Sequence, residues 1–126
     1  MPSSANAQFK PSREEQIKVG RNAAQDVVKK YKVLPDTDPR VKLLRELSKK
    51  LLAVPPEGRD SFWRSNKFPY EFNVIDSNEV NAFAVPGGPI FFFTGLIDRM
   101  KTVDELAGVL AHEINHVRRE HWARAY

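Results

Sequence analysis

The chain has 126 residues, of which 41% are hydrophobic and 10% aromatic, enough for one domain with a hydrophobic core. Its net charge is +4, and its basic side chains lie beside acidic ones along the N-terminal segments instead of forming a basic cluster. We therefore expect no nucleic-acid partner. The absence of cysteine excludes disulfides and thiolate metal ligands, and no apolar run is long enough to span a membrane.

Residues 1–12 are polar and rich in proline and serine. They lack the basic start and the apolar centre of a signal peptide, so we expect a flexible N-terminal arm. The rest of the chain, residues 13–126, contains no repeat or low-complexity segment and is predicted to form one domain.

Two helices are predicted in the first half of the chain. Ser12 and Glu15 fit a capping box that opens a helix over 13–30, although Gly20 interrupts its apolar stripe of Ile17, Ala24, Val27, Val28 and Tyr31. Asp38 and Pro39 suit the N-cap and first position of a second helix, which should end near Ala53, before two prolines. Its predicted buried side contains Val41, Leu44, Leu47 or Ser48, Leu51 and Leu52.

Three strands follow. "YEFNVID" alternates with Phe72 and Val74 on one side, a short strand is expected over 80–85, and "PIFFF" after the Pro-Gly-Gly break suits a buried strand. This spacing indicates a small, mainly antiparallel three-stranded sheet. Together with the helices it predicts an α+β fold.

The last predicted helices are a short one over 96–100 and a long one that carries the main motif. Thr102 and Glu105 form a second capping-box pattern, so the long helix should begin at Val103 and reach about Arg124. Its apolar positions are Leu106, Val109, Leu110, Ile114 and Val117.

The long helix contains the sequence His-Glu-Ile-Asn-His. His112 and His116 are four residues apart and therefore lie on one helix face, where two imidazoles can bind one zinc ion. Zinc lowers the pKa of a water molecule to roughly 7, and Glu113 is placed to take its proton as a general base. The alternative is that the two histidines are unrelated polar residues, but the complete pattern on a capped helix favours a site for peptide-bond hydrolysis.

Two polar neighbours of the motif are given no catalytic role. Asn115 is compatible with close packing of the helix. His121 lies about 140° around the helix from His116, so a structural role or a hydrogen bond to a ligand is expected instead of ligation.

The combination of "NAFAVPGG", "FTGL" and "ELAGVLAHE" resembles gluzincin zinc metallopeptidases of peptidase family M48, in particular BepA-like members and, more distantly, HtpX-like ones. The resemblance extends from about Glu14 to Tyr126. It implies a zincin-like fold, Zn²⁺ as the cofactor, His112 and His116 as ligands, and Glu113 as the catalytic residue.

The resemblance also implies where the substrate binds. The "NAFA" segment would be an edge strand above the metal along which an extended protein or peptide substrate adds as a further strand; its residues are Asn81, Ala82, Phe83 and Ala84. A turn or strand-end role is the alternative for Asn81. Pro86, Gly87 and Gly88 are expected to shape the turn that follows.

In the family, the third zinc ligand is a glutamate on a later helix. After His116 this sequence offers only "VRREHWARAY", whose one carboxylate, Glu120, is on the same helix. Residues 13–126 are therefore expected to be an incomplete zinc metallopeptidase domain with little activity alone. A homodimer or a domain-swapped association is expected to cover the exposed apolar surface.

The leading hypothesis is a zinc endopeptidase of protein quality control that acts on unfolded or misassembled proteins. The alternative is a non-catalytic, chaperone-like module that binds extended polypeptides along the edge strand. The resemblance implies a periplasmic or exported location in bacteria.

Overall fold

The computed structural model describes residues 12–53 and 68–118, except for the side chain of Arg118. The α+β prediction is confirmed, with elements α1 (Arg13–Lys30), α2 (Pro39–Ala53), β1 (Glu71–Ile75), β2 (Ala82–Ala84), β3 (Pro89–Phe93), α3 (Thr94–Ile97) and α4 (Val103–Arg118). No described helix is long and apolar enough to span a membrane. The predictions for the N-terminal arm, for the prolines after α2, and for Glu120, His121 and the helix beyond residue 118 lie outside the described residues.

The predicted caps fix where the first two helices begin. The Ser12 hydroxyl accepts a hydrogen bond from the Glu15 backbone N–H (3.1 Å), and the Glu15 carboxylate accepts one from the Ser12 N–H (3.0 Å), which completes the capping box. At the start of α2, the Asp38 carboxylate accepts from the Arg40 N–H (2.9 Å). Both helix starts are therefore confirmed as the sequence predicts.

The sheet has the strand order β1-β3-β2 and is mixed. β1 runs parallel to β3 over five residue pairs, whereas β2 runs antiparallel to β3 over three, so the sheet is not mainly antiparallel as expected. The reason is that β3 enters between the two earlier strands, because residues 76–81 carry the chain past the position that β3 later fills. All five residues of β3 are buried, as suits a central strand.

Helices cover both faces of this sheet. On one face, Ile90 and Phe92 of β3 pack in a cluster with residues of α2 and α4. On the opposite face, Phe91 and Phe93 pack with Ala24 and Val27 of α1. The alternation along β3 therefore divides the core into two layers. This explains why the strand reads as an unbroken apolar run.

The buried faces of the two N-terminal helices differ in part from the expected stripes. On α1, Gln16 and Gly20 are buried, whereas Val28 is 57% exposed. On α2, where Leu47 and Ser48 were alternatives, Ser48 is buried and Leu47 only partly so, and the Ser48 hydroxyl donates a hydrogen bond to the Arg45 carbonyl (2.8 Å). A buried serine is tolerated because its polar group is paired within its own helix.

The two edges of the sheet are not equivalent. Backbone hydrogen bonds join the outer edge of β1 to residues 32–34, including Leu34 N–H to the Val74 carbonyl (2.9 Å) and Asp76 N–H to the Lys32 carbonyl (2.8 Å). The outer edge of β2 pairs with no strand within residues 12–53 and 68–118. Within the described residues, the outer edge of β2 is therefore open to a further strand.

Two glycines hold α1 against the turn between β2 and β3. A Cβ added to Gly20 would overlap the Pro86 carbonyl oxygen, and one added to Gly87 would lie 2.5 Å from the Ile17 Cα. Gly87 also has a φ of 84°, in the region that side chains disfavour. The glycine that seemed to interrupt the stripe of α1 is thus its contact point with the turn.

We predict that Gly20→Ala lowers the free energy of unfolding by about 1–3 kcal/mol or more, because the helix must move away from the turn. Gly108→Ala is the matched control, since a Cβ there meets nothing within 4 Å, and it should raise stability by up to about 1 kcal/mol. Urea denaturation of both variants measures the difference. Equal stability of the two variants would contradict the packing described for Gly20.

Candidate active site

The orientation of α4 is set by its buried stripe, which consists of Leu106, Leu110, Ile114 and Val117. At about 100° per residue, Glu113 lies about 60° from Leu110, His116 about 120° and His112 about 160°. The structure agrees with these angles, since His112, the farthest from the stripe, is exposed, whereas Glu113 and His116 are both partly buried. The helix packs against β2, so the motif faces the open edge of the sheet.

The start of α4 is capped differently from the prediction. The Thr102 hydroxyl accepts from the Glu105 N–H (3.1 Å), as expected. The Glu105 carboxylate, however, accepts from the Lys101 N–H (3.4 Å), one residue before the position that a capping box would use. Either contact stabilises the first turn of the helix that carries the motif.

The two histidines of the motif converge on one point. Their Nε2 atoms are 3.0 Å apart, and their rings are nearly perpendicular, with centroids 4.5 Å apart. Two nitrogens at Zn–N distances typical of tetrahedral zinc lie about 3.3 Å apart. A carboxylate oxygen of Glu113 lies within 4.8 Å of these nitrogens, so Glu113 is next to the position that an ion between the two imidazoles would take.

Glu113 is the one acidic group in this cluster. Partial burial raises the pKa of its carboxyl above the ordinary value of 4.5, while the His116 and His112 imidazoles act in the opposite direction. A carboxylate with a raised pKa beside two imidazoles is suited to taking a proton near neutral pH.

A cavity of about 310 Å³ lies between the motif and β2. It is lined by Ala82, Phe83, Ala84, Val85, Glu113, His116 and Val117. The Phe83 ring packs on the other face of the sheet, 5.3 Å from the Phe91 ring between centroids. The strand therefore borders the cavity largely through its main chain and two alanines, which leaves room for another chain.

Asn81, the first residue of the expected substrate segment, lies just before the cavity-lining part of β2. Its side-chain carbonyl accepts from the Ala82 N–H (2.8 Å), and its amide NH₂ donates to the Glu79 carboxylate (2.8 Å). All three polar groups are at the exposed end of the strand, which the structure gives as Ala82–Ala84, shorter than the predicted 80–85.

The structure brings the predicted motif and most of the predicted substrate segment together around one cavity. His112 of the motif and Asn81, which precedes β2, are not among the residues that line the cavity. Sequence reasoning missed Val85, Val117 and Glu79. The two valines directly follow predicted site residues, whereas nothing in the sequence pairs Glu79 with Asn81.

Comparison with known proteins gives relatives of two kinds. The chain is 43% identical over 61 residues, 48% of its length, to the beta-barrel assembly-enhancing protease of Escherichia coli strain K12, of which it covers 12%. It is 33% identical over 101 residues, 79% of its length, to the mitochondrial metalloendopeptidase OMA1 of Schizosaccharomyces pombe, of which it covers 28%. The bovine metalloendopeptidase OMA1 is 43% identical over 51 residues, with 10% of that protein covered. The chain thus spans a small part of the length of these relatives.

The profile of peptidase family M48 matches residues 44–126, about two thirds of the chain. The matched region includes most of α2, the whole sheet and the helix that bears the histidines. The match therefore covers the cluster of His112, Glu113 and His116 described above. The chain belongs to peptidase family M48.

Proposed function

We propose that this chain forms the catalytic part of a zinc-dependent endopeptidase that hydrolyses peptide bonds of unfolded or misassembled proteins, in protein quality control. One observation carries the proposal: the open edge of β2 and the side chains of Glu113 and His116 line the same cavity. A chain that added to this edge would bring its backbone beside the motif.

His112 and His116 would hold the zinc ion. Imidazole nitrogen is a common ligand of zinc, and the 3.0 Å separation of the two Nε2 atoms suits a shared ion. Zinc bound there would supply Lewis-acid polarisation of the scissile carbonyl and acidify a water molecule. A catalytic zinc normally has three protein ligands, so we propose that a carboxylate from outside the described residues completes the site.

Glu113 would act as the general base and then as the general acid. Its carboxylate borders the cavity, so it can take a proton from the attacking water and pass it to the leaving amine. Its raised pKa favours the first transfer, because a more basic carboxylate takes the proton of the water more readily.

The substrate segment would act mainly through its backbone. Ala82, Phe83 and Ala84 border the cavity with small side chains or with main chain, and Asn81 lies at the strand start. Binding by strand addition uses backbone hydrogen bonds, which any extended polypeptide can form but a folded protein cannot. This supports unfolded or misassembled proteins as the substrate class.

The open β2 edge also favours a second candidate function, a non-catalytic chaperone-like module that binds extended polypeptides without cutting them. Binding that persists without any zinc-dependent cleavage, in a form of the protein with all three ligands, would support this module and contradict the peptidase.

The same edge could pair with a second copy of the chain, which is the basis for proposing a homodimer or a domain-swapped form. Sedimentation at increasing concentration tests this proposal, and a monomer throughout would contradict it. A periplasmic or exported location is also proposed, although two of the relatives are named mitochondrial enzymes. Cell fractionation tests the location.

For zinc binding, we predict that His112→Ala and His116→Ala each lower the affinity at least tenfold, as loss of one of two imidazole ligands requires. Glu113→Gln is the matched control on the same helix turn and should change the affinity by less than about threefold. Competition with a chromophoric chelator at pH 7 measures all three. Unchanged affinity in the histidine variants would contradict the metal site.

For catalysis, we predict that zinc-loaded protein with a third carboxylate ligand cleaves casein, and that Glu113→Gln reduces the rate by about 10²–10⁴-fold while zinc stays bound. The form in which zinc has only the two imidazole ligands should cleave casein slowly or not at all. Zinc-dependent, chelator-sensitive cleavage at full rate by the two-histidine form would contradict the need for the third ligand.

For pH dependence, the raised pKa of Glu113 fixes the sign. A carboxyl whose pKa is higher in the folded state stabilises the fold below its unfolded pKa, and this contribution is lost as the pH rises through the folded value. In the presence of a metal chelator, Glu113→Gln should therefore raise the melting temperature at pH 7, and this increase in melting temperature should shrink towards pH 4. Glu46→Gln, on the exposed side of α2, should show no such trend. A gain from Glu113→Gln that does not vary with pH would contradict this account.

A further inference from the structure

The antiparallel register of β2 determines which of its backbone groups face outward. The Asn81 carbonyl accepts from the Phe93 N–H (3.0 Å), and the Val85 N–H donates to the Pro89 carbonyl (2.9 Å). Hydrogen-bonded and non-hydrogen-bonded pairs alternate in such a ladder, so Phe83 also bonds inward to β3. The N–H and carbonyl groups of Ala82 and Ala84 therefore point to the open edge.

One of these outward groups already has a partner. The Ala82 N–H donates to the side-chain carbonyl of Asn81, at 2.8 Å. An amide oxygen has two lone pairs, so this contact leaves acceptor capacity on the Asn81 carbonyl. At this end of the edge, the strand offers an acceptor where its backbone alone would offer a donor.

Glu79 decides the orientation of that amide. An ionised carboxylate only accepts hydrogen bonds, so it must face the NH₂ group of Asn81, as the 2.8 Å contact shows. The carbonyl oxygen is then turned towards Ala82. Without Glu79, the exposed amide could rotate and present either group to the edge.

We infer that Glu79 is a positioning residue that holds the Asn81 amide so that the substrate-binding edge selects a backbone N–H of the substrate at this position. The inference rests on the proposed function, since it concerns a polypeptide added along β2. Regular strand pairing would end at Ala82, because its N–H is occupied, and the next substrate N–H would reach the Asn81 oxygen. The pair would thereby fix the register of the added strand relative to Glu113 and His116.

The test uses zinc-loaded Glu113→Gln protein, which should bind peptides without cutting them, and alanine-rich fluorescent decapeptides. Each peptide carries one N-methyl group in place of a backbone N–H, at a different position. In the protein with Glu79, methylation of one particular position beyond the paired segment should weaken binding about fivefold, the loss of one net hydrogen bond. With Glu79→Ala added, the unmethylated peptide should bind about fivefold more weakly, and the penalty at that position should disappear.

Glu79→Gln separates positioning from charge, because its side-chain carbonyl can still accept from the Asn81 NH₂ group. It should keep both the affinity, within about twofold, and the N-methyl penalty. Glu46→Ala is the control for loss of an exposed glutamate and should change neither.

Unchanged binding in Glu79→Ala, tighter binding in Glu79→Ala, or failure of Glu79→Gln to restore the penalty would each overturn the inference. Tighter binding would show that the Asn81 amide blocks the edge instead of recognising the substrate. A protein with Glu79 that binds zinc but none of the decapeptides would overturn the proposed function, and this inference with it.

Discussion

The central position of β3 is the constraint on which the rest of the structure depends. Its five residues are buried on both faces, and it pairs with β1 on one side and β2 on the other. Because β3 takes the middle place, β2 is left at an edge. The same strand contributes Ile90 and Phe92 to the layer in which α4 packs. The motif helix therefore lies on this face of the sheet, next to β2.

The cavity forms where the small side chains of β2 lie opposite the polar side chains of the motif on α4. Ala82 and Ala84 lie on the side of the sheet that α4 covers, and they leave space that larger side chains would fill. The buried stripe of α4 turns Glu113 and His116 towards this space but leaves His112 exposed. Burial therefore varies across the motif, and it raises the pKa of the carboxyl nearest the core.

The sequence predicts the local features well because they depend on neighbouring residues. The Ser12 and Glu15 cap, the start of α2 at Pro39 and the face shared by His112 and His116 all follow from short-range spacing. What could not be predicted depends on contacts between distant segments. These features include the parallel pairing of β1 with β3, the burial of Gly20 against the β2–β3 turn, and the choice of Ser48 over Leu47 for the core. The contact of Glu79 with Asn81 belongs with them, since it depends on a backbone path that no periodicity encodes.

We propose that the β2 edge and the α4 motif act together on one polypeptide. A structure of zinc-loaded Glu113→Gln protein with a bound decapeptide tests it most directly. We expect an added strand along Ala82–Ala84, with one peptide carbonyl facing the ion held by His112 and His116. A peptide bound away from β2, or zinc held without these two imidazoles, would contradict it.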